Sequence, residues 1–272
     1  MLQNGIDHDI QDMRYLKWSN VRSSSGTAGT FLKASEETGG TKVYYKMSNF
    51  DYVNGVVGHE CINEIIADRL FYLLGIDHLM YCLLHALVTV DEKDFETYIC
   101  ASADFKKKGE SKIALDDLYD LQHEPGEDRM AFCRRMGWEE AIYRMTVADF
   151  LIINRDRHGA NIEVLKSEDG YRLAPLFDHG LSLLFSCYDG RGVEEFDPLA
   201  DLPVQSFLSS HSLFENLEAI QSEKRPVFQP LHETDREYIL EGLDGLLSPQ
   251  HLEKIWQVIW QRWNYYEAMQ NH

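Results

Sequence analysis

The chain lacks any apolar run long enough to cross a bilayer. No stretch approaches the roughly 18 uninterrupted apolar residues of a spanning helix, so an integral membrane protein is not expected. Cysteine is scarce and scattered. Cys61, Cys82, Cys100, Cys133 and Cys187 are odd in number and never spaced CxxC. That spacing signals neither a zinc ribbon nor a redox pair. Read as small buried hydrophobes, these free thiols suit a reducing cytoplasm. Positive charge is short as well. Against 45 Asp and Glu stand only 26 Lys and Arg, a formal net charge of −19. Nucleic-acid binding runs on cations that displace condensed counterions, so neither nucleic acid nor an anionic membrane surface is an expected partner. The cationic run Lys106-Lys107-Lys108 reads as a solvated turn. The opening MLQNGIDHDI has neither a basic flank nor an apolar core, so no signal peptide is expected there.

What is present is ordinary globular material. The 272 residues are 44% apolar and 26% charged, enough for about one to two domains. The first twenty residues show no clear period. Small residues then fill positions 23–30, and Thr38-Gly39-Gly40 separates two stretches rich in β-branched and aromatic residues. That pattern predicts a strand–turn–strand hairpin ending at Lys46 and Met47, with a flexible segment over 49–58. Ile62, Ile65, Ile66, Leu70, Leu73 and Leu74 recur at helical spacing before Gly75, predicting a helix over 59–74. Two further strands are expected at 83–90 and 95–101. Beyond about residue 104 helices dominate, at 127–136, 138–153 and 249–269, with two short strand-like pieces at 162–166 and 171–174. Trp256, Trp260 and Trp263 form a stripe on the last helix, which reads as core. The fold class is therefore α+β: a small β-rich part over 1–104 and a larger helical part over 105–272.

The chemistry concentrates in Asn154-Arg155-Asp156-Arg157-His158-Gly159-Ala160-Asn161. Burying so many polar groups unpaired would cost about 1–3 kcal/mol each, so this loop is expected on the surface or around a ligand. Asp156 and Asn161 stand five apart, the Asp-to-Asn spacing of a kinase catalytic loop. There an aspartate accepts the proton of the attacking hydroxyl, and the asparagine oxygen coordinates a metal held against the phosphates. An ordinary surface turn carries the same spacing. Downstream, Asp178 precedes His179 and Gly180 after an apolar stretch, where kinases place a second metal ligand in D-F-G; a helix cap or turn is the alternative. Asn161 and Asp178 together suit Mg²⁺, which demands hard oxygen ligands. Upstream, Lys46 ends the strand Val43-Tyr44-Tyr45-Lys46, and Glu64 follows 18 residues later on the predicted helix, matching a phosphate-binding lysine and its glutamate partner. Ser25, Gly26, Thr27, Ala28, Gly29 and Thr30 precede that strand as a phosphate-covering loop must, although they do not read G-x-G-x-x-G. A plain hairpin tip is the alternative there. Ala101, Ser102 and Ala103 sit where an interlobe hinge would meet adenine through its backbone.

In this order, the Gly-rich loop, strand lysine, helix glutamate, NRDRHGAN and LFDHG resemble the HipA-like kinase group, relatives of the eukaryotic protein kinases and phosphatidylinositol 3/4-kinases. The resemblance spans about residues 22–185 as motifs. It implies a bilobal protein-kinase-like fold and an ATP- and Mg²⁺-dependent phosphotransferase. Asp156, Asn161 and Asp178 would be the catalytic set, with Asn161 and Asp178 on magnesium. The loop residues, Lys46, Glu64, the hinge residues and His158 would surround ATP. His158 and His179 would orient the loop around Asp156. A protein serine or threonine is the implied acceptor, with self-modification in the Gly-rich loop at Ser23, Ser24, Ser25, Thr27 or Thr30. Only about twenty residues precede that loop, so the extra N-terminal subdomain of the longer HipA toxins, with its antitoxin and DNA assembly, is not carried over. A small-molecule or lipid kinase of the same fold remains open, as does a nucleotide-binding pseudokinase. A zinc hydrolase built on Asp156, His158, Asp178 and His179 would leave Lys46 and Glu64 unexplained.

Overall fold

The computed structural model describes residues 5–19, 31–51, 53–187 and 189–270. The Gly-rich segment from Ser25 to Thr30, with Ser23 and Ser24, lies outside the described residues. Strand β1 (Ile6–Asp12) precedes the hairpin β2 (Lys33–Thr38) and β3 (Thr41–Met47). A second, very short hairpin follows, β4 (Phe50–Asp51) and β5 (Gly55–Val56), where the sequence suggests only a flexible segment. The Asp51 carboxylate closes its turn by accepting the amides of Val53 and Asn54 at 2.8 and 2.7 Å, a local bond that short polar side chains favour in turns.

Helix α1 (Glu60–Leu74) ends where Gly75 adopts the left-handed conformation, which a glycine takes without steric cost. Almost every residue of α1 is buried, because it lies between the sheet and the helical lobe rather than on a surface. Strands β6 (Cys82–Val90) and β7 (Lys93–Ala103) follow as a long hairpin. Its two-residue turn holds Asp91 and Glu92 at φ 47° and 64°, the pair of positive angles that matches the twist of antiparallel strands. The five-stranded sheet runs β1-β6-β7-β3-β2, with β1 parallel to β6 and the other neighbours antiparallel. Strand β1 escapes a periodic reading because it is an edge strand with three consecutive exposed residues.

Side chains alternate across a strand, and this alternation divides the sheet. Tyr45, Met47, Ile99 and Ala101 pack with Met13, Leu16, Ala86 and Val88 on one side. Leu83 and Cys100 pack on the other, in one cluster with α1 and the helical lobe.

The remaining chain is the helical lobe with a three-stranded sheet, order β11-β10-β8, at its top. It contains β8 (Ser111–Ala114), α2 (Leu115–Gln122), α3 (Arg129–Arg135) and α4 (Glu139–Ile152). Next come β9 (Asp156–Arg157), β10 (Glu163–Ser167), β11 (Gly170–Leu173) and α5 (Gly190–Glu195). β12 (Gln205–Ser206), α6 (Leu213–Glu218), α7 (Arg236–Leu240) and α8 (Pro249–Gln270) complete it. Asp128 caps α3 by accepting the amide of Ala131, and Gly137, at φ 77°, separates α3 from α4 as its position suggests. Trp256 and Trp263 are buried in the lobe's core and Trp260 stacks on Trp256 at 5.6 Å, so the tryptophan stripe is packing. Among the described residues no helix is long and apolar enough to cross a membrane.

Candidate active site

A cleft of about 750 Å³ opens between the five-stranded sheet and the helical lobe. The β3 alternation that sends Tyr45 and Met47 into the core turns Lys46 the other way, toward the helical lobe. Its ammonium lies 2.8 Å from Glu64 Oε1 of α1 and 2.5 Å from Asp178 Oδ1. Burial opposes charge on Lys46, but Asp178 and Glu64 outweigh it and hold the ammonium well above its ordinary pKa. The structure thus joins three of the residues singled out by the sequence, from a strand, a helix and a loop 132 positions downstream of the lysine.

Helix α1 grips the Asp178 loop at several points. Glu64 Oε2 accepts the His179 amide at 2.8 Å, and Asn63 Nδ2 donates to the carbonyls of Gly180 and Ser182 at 3.0 and 2.9 Å. The Asp178 amide donates to the Tyr81 hydroxyl at 3.2 Å. Asp178 itself sits at φ 61°, a conformation that costs a non-glycine residue energy and clusters at functional sites. Gly180 is a close-approach glycine: a Cβ there would lie 3.0 Å from Glu60 Cβ and 3.1 Å from Lys46 Nζ.

The catalytic-loop candidates fold around a second buried centre. Arg157 and Asp149 are both buried, and the guanidinium lies 3.1 Å from the carboxylate. Asn154 Nδ2 donates to the same carboxylate at 2.8 Å. Burial pushes the Asp149 carboxyl above its ordinary value, with Arg157 and Asn154 pulling it back. Arg157 also donates to the carbonyls of Phe177 (2.8 Å) and Asn161 (3.3 Å) and to His179 Nδ1 (3.0 Å). One side chain therefore ties the Asn161 loop to the Asp178 loop. His179 is fully buried; burial, then the Arg157 charge, push it well below the ordinary histidine pKa, so it is neutral and accepts at Nδ1.

These contacts correct the expectation of a loop too polar to be core. Asn154, Arg157 and Asn161 are buried, and the reason is Asp149, an acid inside the apolar run of α4.

Asn161 Nδ2 donates to the Asp156 carbonyl at 2.9 Å and to its Oδ2 at 3.0 Å, and His158 Nε2 lies 3.4 Å from Asp156 Oδ1. Asp156 and Asn161 thus form a direct pair, with His158 on the other carboxylate oxygen. Main-chain bonds fix this loop from both sides. The Arg155 amide donates to the Leu181 carbonyl at 3.1 Å, and β12 pairs in parallel with β9. Of the hinge candidates, Ser102 and Ala103 line the cleft, whereas Ala101 is buried in the opposite face of the sheet. The cleft also brings in Tyr44, Tyr81, Cys100, Phe105, Lys112 and Phe177, none singled out from the sequence as a site residue. Lys112 is 3.3 Å from Asp104, 3.6 Å from Glu163 and 4.1 Å from the Phe105 ring centroid.

The donor chemistry suits magnesium better than zinc. Asn161 and Asp178 offer hard oxygens on loops that Arg157 joins, and Mg²⁺ characteristically takes one or two such groups and completes its shell with phosphate and water. Among the described residues no group of three or more His, Cys, Asp or Glu is arranged to hold a metal alone, so the zinc-hydrolase alternative finds no ligand cluster there.

A β-rich lobe and a helical lobe around such a cleft define a kinase-like fold. The same fold is found in the crystal structure of the Helicobacter pylori proinflammatory kinase CtkA. That structure aligns with a TM-score of 0.66 over 97% of this chain and 98% of its own, at 16% identity. The bilobal architecture implied by the motifs is thus the architecture the chain has. HipA, solved with HipB and operator DNA from Shewanella oneidensis MR-1, aligns over 92% of this chain and 60% of its own, with a TM-score of 0.40 and 15% identity. No protein-family model matches the sequence and no curated protein is significantly similar to it.

Proposed function

We propose that the protein is an ATP- and Mg²⁺-dependent kinase that transfers the γ-phosphoryl group to a hydroxyl, with serine or threonine of a protein as the acceptor class. The observation that carries this reading is the Lys46 ammonium held between Glu64 and Asp178 beside a cleft of about 750 Å³. An ammonium fixed by two carboxylates is a pre-positioned phosphate partner, and phosphoryl transfer depends mainly on positioning and charge stabilisation. The kinase-like fold shared with CtkA supports the same reading.

In this mechanism Asp156 orients the acceptor hydroxyl and takes its proton as the new O–P bond forms and the bond to the ADP oxygen breaks. Asn161, donating to Asp156 Oδ2, keeps the carboxylate turned for that task. Asn161 and Asp178 would hold Mg²⁺, whose contribution is to neutralise charge between the β- and γ-phosphates. His158 and His179 act as positioning residues, one against Asp156 and one under the Asp178 loop. Ala101, Ser102 and Ala103 would meet the nucleobase through their main chain. The Gly-rich segment with its serines and threonines covers the phosphates and supplies hydroxyls for self-modification. A cytoplasmic location accords with the free thiols.

The test is incubation with γ-labelled ATP and Mg²⁺, followed by mass spectrometry of the protein and of an added library of Ser/Thr peptides. Wild type transfers label, and Asp156→Asn transfers it about 10²–10⁴-fold more slowly, the usual worth of a positioned base, while still binding ATP. Equal traces for both proteins would remove Asp156 from the reaction.

A further inference from the structure

The segment that follows the Asp178 loop has two properties that belong together. From 189 to 204 it contains no serine, threonine or tyrosine, and it carries Asp189, Glu194, Glu195, Asp197 and Asp201 against Arg191 alone. Within these bounds it offers no hydroxyl for a phosphate, the nearest in sequence being Tyr188 before it and Ser206 after it. Side chains of α8 bind its main chain instead. Just ahead of the segment, His251 Nε2 donates to the Cys187 carbonyl at 2.9 Å, with its Nδ1 on Ser248 Oγ. Lys254 Nζ donates to the carbonyls of Glu194 (3.1 Å) and Phe196 (3.0 Å). Arg262 donates to the carbonyls of Pro198 (2.8 Å) and Ala200 (2.5 Å), and a third bond, at 3.0 Å, reaches the carbonyl of Phe150 in the last turn of α4.

Arg262 is fully buried, with its guanidinium over the rings of Phe150 and Phe214 at 4.8 and 5.2 Å. No salt bridge joins it to a carboxylate among the described residues; Asp201 and Asp197 act on it only at longer range. Burying an arginine without a carboxylate partner is expensive, and what this one makes is a three-way joint between α8, the segment and the end of α4. Helix α4 leads within a few residues into Asp156. At its other end the segment runs into β12, whose Gln205 amide donates to Arg155 at 2.9 Å, and the Phe207 amide donates to Arg157 at 2.6 Å.

We propose that α8 holds segment 189–204 in one fixed conformation beside the catalytic loop without any phosphate on it, and that Arg262 is the positioning residue at the centre of this clamp. The geometry stands alone; its consequence rests on the kinase reading above. On that reading the acceptor side is permanently assembled, so control has to act elsewhere than on this segment. Because α8 binds carbonyls and not carboxylates, the segment keeps its net negative charge, which favours a basic acceptor.

Hydrogen exchange read by mass spectrometry on the full chain, confirmed free of phosphate by intact mass, tests this directly. In wild type the amides of Val193, Phe196 and Ala200, which bond to Asp189, Val193 and Asp197, exchange slowly. Arg262→Met speeds exchange across 189–204 by about tenfold or more, leaves α4 protected, and leaves Mg-ADP affinity within about twofold. Arg262→Lys restores part of the protection. Lys93→Met, at an exposed position in the sheet, serves as the control and changes nothing. With the Ser/Thr peptide library as acceptor, Arg262→Met raises the peptide KM far more than the ATP KM. An unprotected segment in phosphate-free wild type would overturn the proposal. So would unchanged exchange in Arg262→Met, or loss of α4 protection and ADP binding together, which would mark Arg262 as mere core. Failure of wild type to bind ADP would count against the kinase reading, while the exchange pattern would still decide the clamp.

Discussion

Asp149→Ala would strip the buried Arg157 guanidinium of its one carboxylate contact among the described residues. The two side chains are 5% and 4% exposed, and the pair is made through Arg157 Nε and NH2 at 3.1–3.2 Å. Asn154 Nδ2 loses an acceptor at the same time. Removing one partner of a buried pair typically costs about 3–5 kcal/mol, because the other charge is left without compensation. For a chain of this size each kcal/mol lowers the melting temperature by about 2 °C, so a fall of roughly 6–10 °C is expected. Scanning calorimetry or denaturant titration reads it. The double variant Asp149→Leu with Arg157→Met replaces both charges by apolar groups and should recover more than half of that loss. It should not recover phosphoryl transfer. The Phe177 and Asn161 carbonyls and His179 Nδ1 lose their common donor, and ångström-scale misplacement of a catalytic group costs about 10²-fold. A single variant destabilised by less than about 1 kcal/mol, or a double variant as unstable as the single, would refute the reasoning.

Other consequences are equally direct. Lys46→Met leaves Glu64 and Asp178 facing each other without their ammonium, and turnover should fall at least about 100-fold; near-normal kcat would place the phosphate site elsewhere. Gly180→Ala puts a methyl 3.0 Å from Glu60 Cβ and 3.1 Å from Lys46 Nζ, so nucleotide affinity should drop, whereas unchanged affinity measured by titration would show the loop free to yield. Burial lowers the His78 pKa, but its 2.9 Å bond to Asp68 outweighs this and raises it above 6.5. A raised histidine pKa stabilises the fold fully below the unfolded value and progressively less as pH rises through the folded one. The stability difference between wild type and His78→Phe should therefore shrink from pH 6 upward, and a pH-independent difference would contradict the ion pair.

The parts of the site that were legible in the sequence are those written locally. Lys46 closes a β-branched, aromatic strand, Glu64 lies on a strongly periodic helix, and Asp156, Asn161 and Asp178 sit in short polar loops between apolar runs. The structure brings Lys46, Glu64 and Asp178 into contact and pairs Asp156 with Asn161. What escaped depends on partners distant in sequence or on register. Asn154 and Arg157 look too polar for a core until Asp149 is seen beneath them, and the available signal was a lone acid between Ala148 and Phe150 in an apolar helix. Ala101 turns its side chain into the core with Tyr45 and Ile99, an orientation set by the register of β7 and silent in the local sequence. Tyr81 contributes a hydroxyl to the Asp178 amide across 97 positions, which no local pattern encodes. Arg262 lies between Trp260 and Trp263 of the tryptophan stripe, and its partners at Pro198, Ala200 and Phe150 are distant in sequence.

The measurement that bears most directly on the central claim is calorimetric titration of ATP into the protein with and without Mg²⁺, repeated on Asp178→Asn. A magnesium-nucleotide cleft predicts one site per chain, tighter binding with Mg²⁺ than without, and loss of that magnesium-dependent increment in Asp178→Asn. No heat of binding in wild type, or an affinity indifferent to both Mg²⁺ and Asp178, would contradict it.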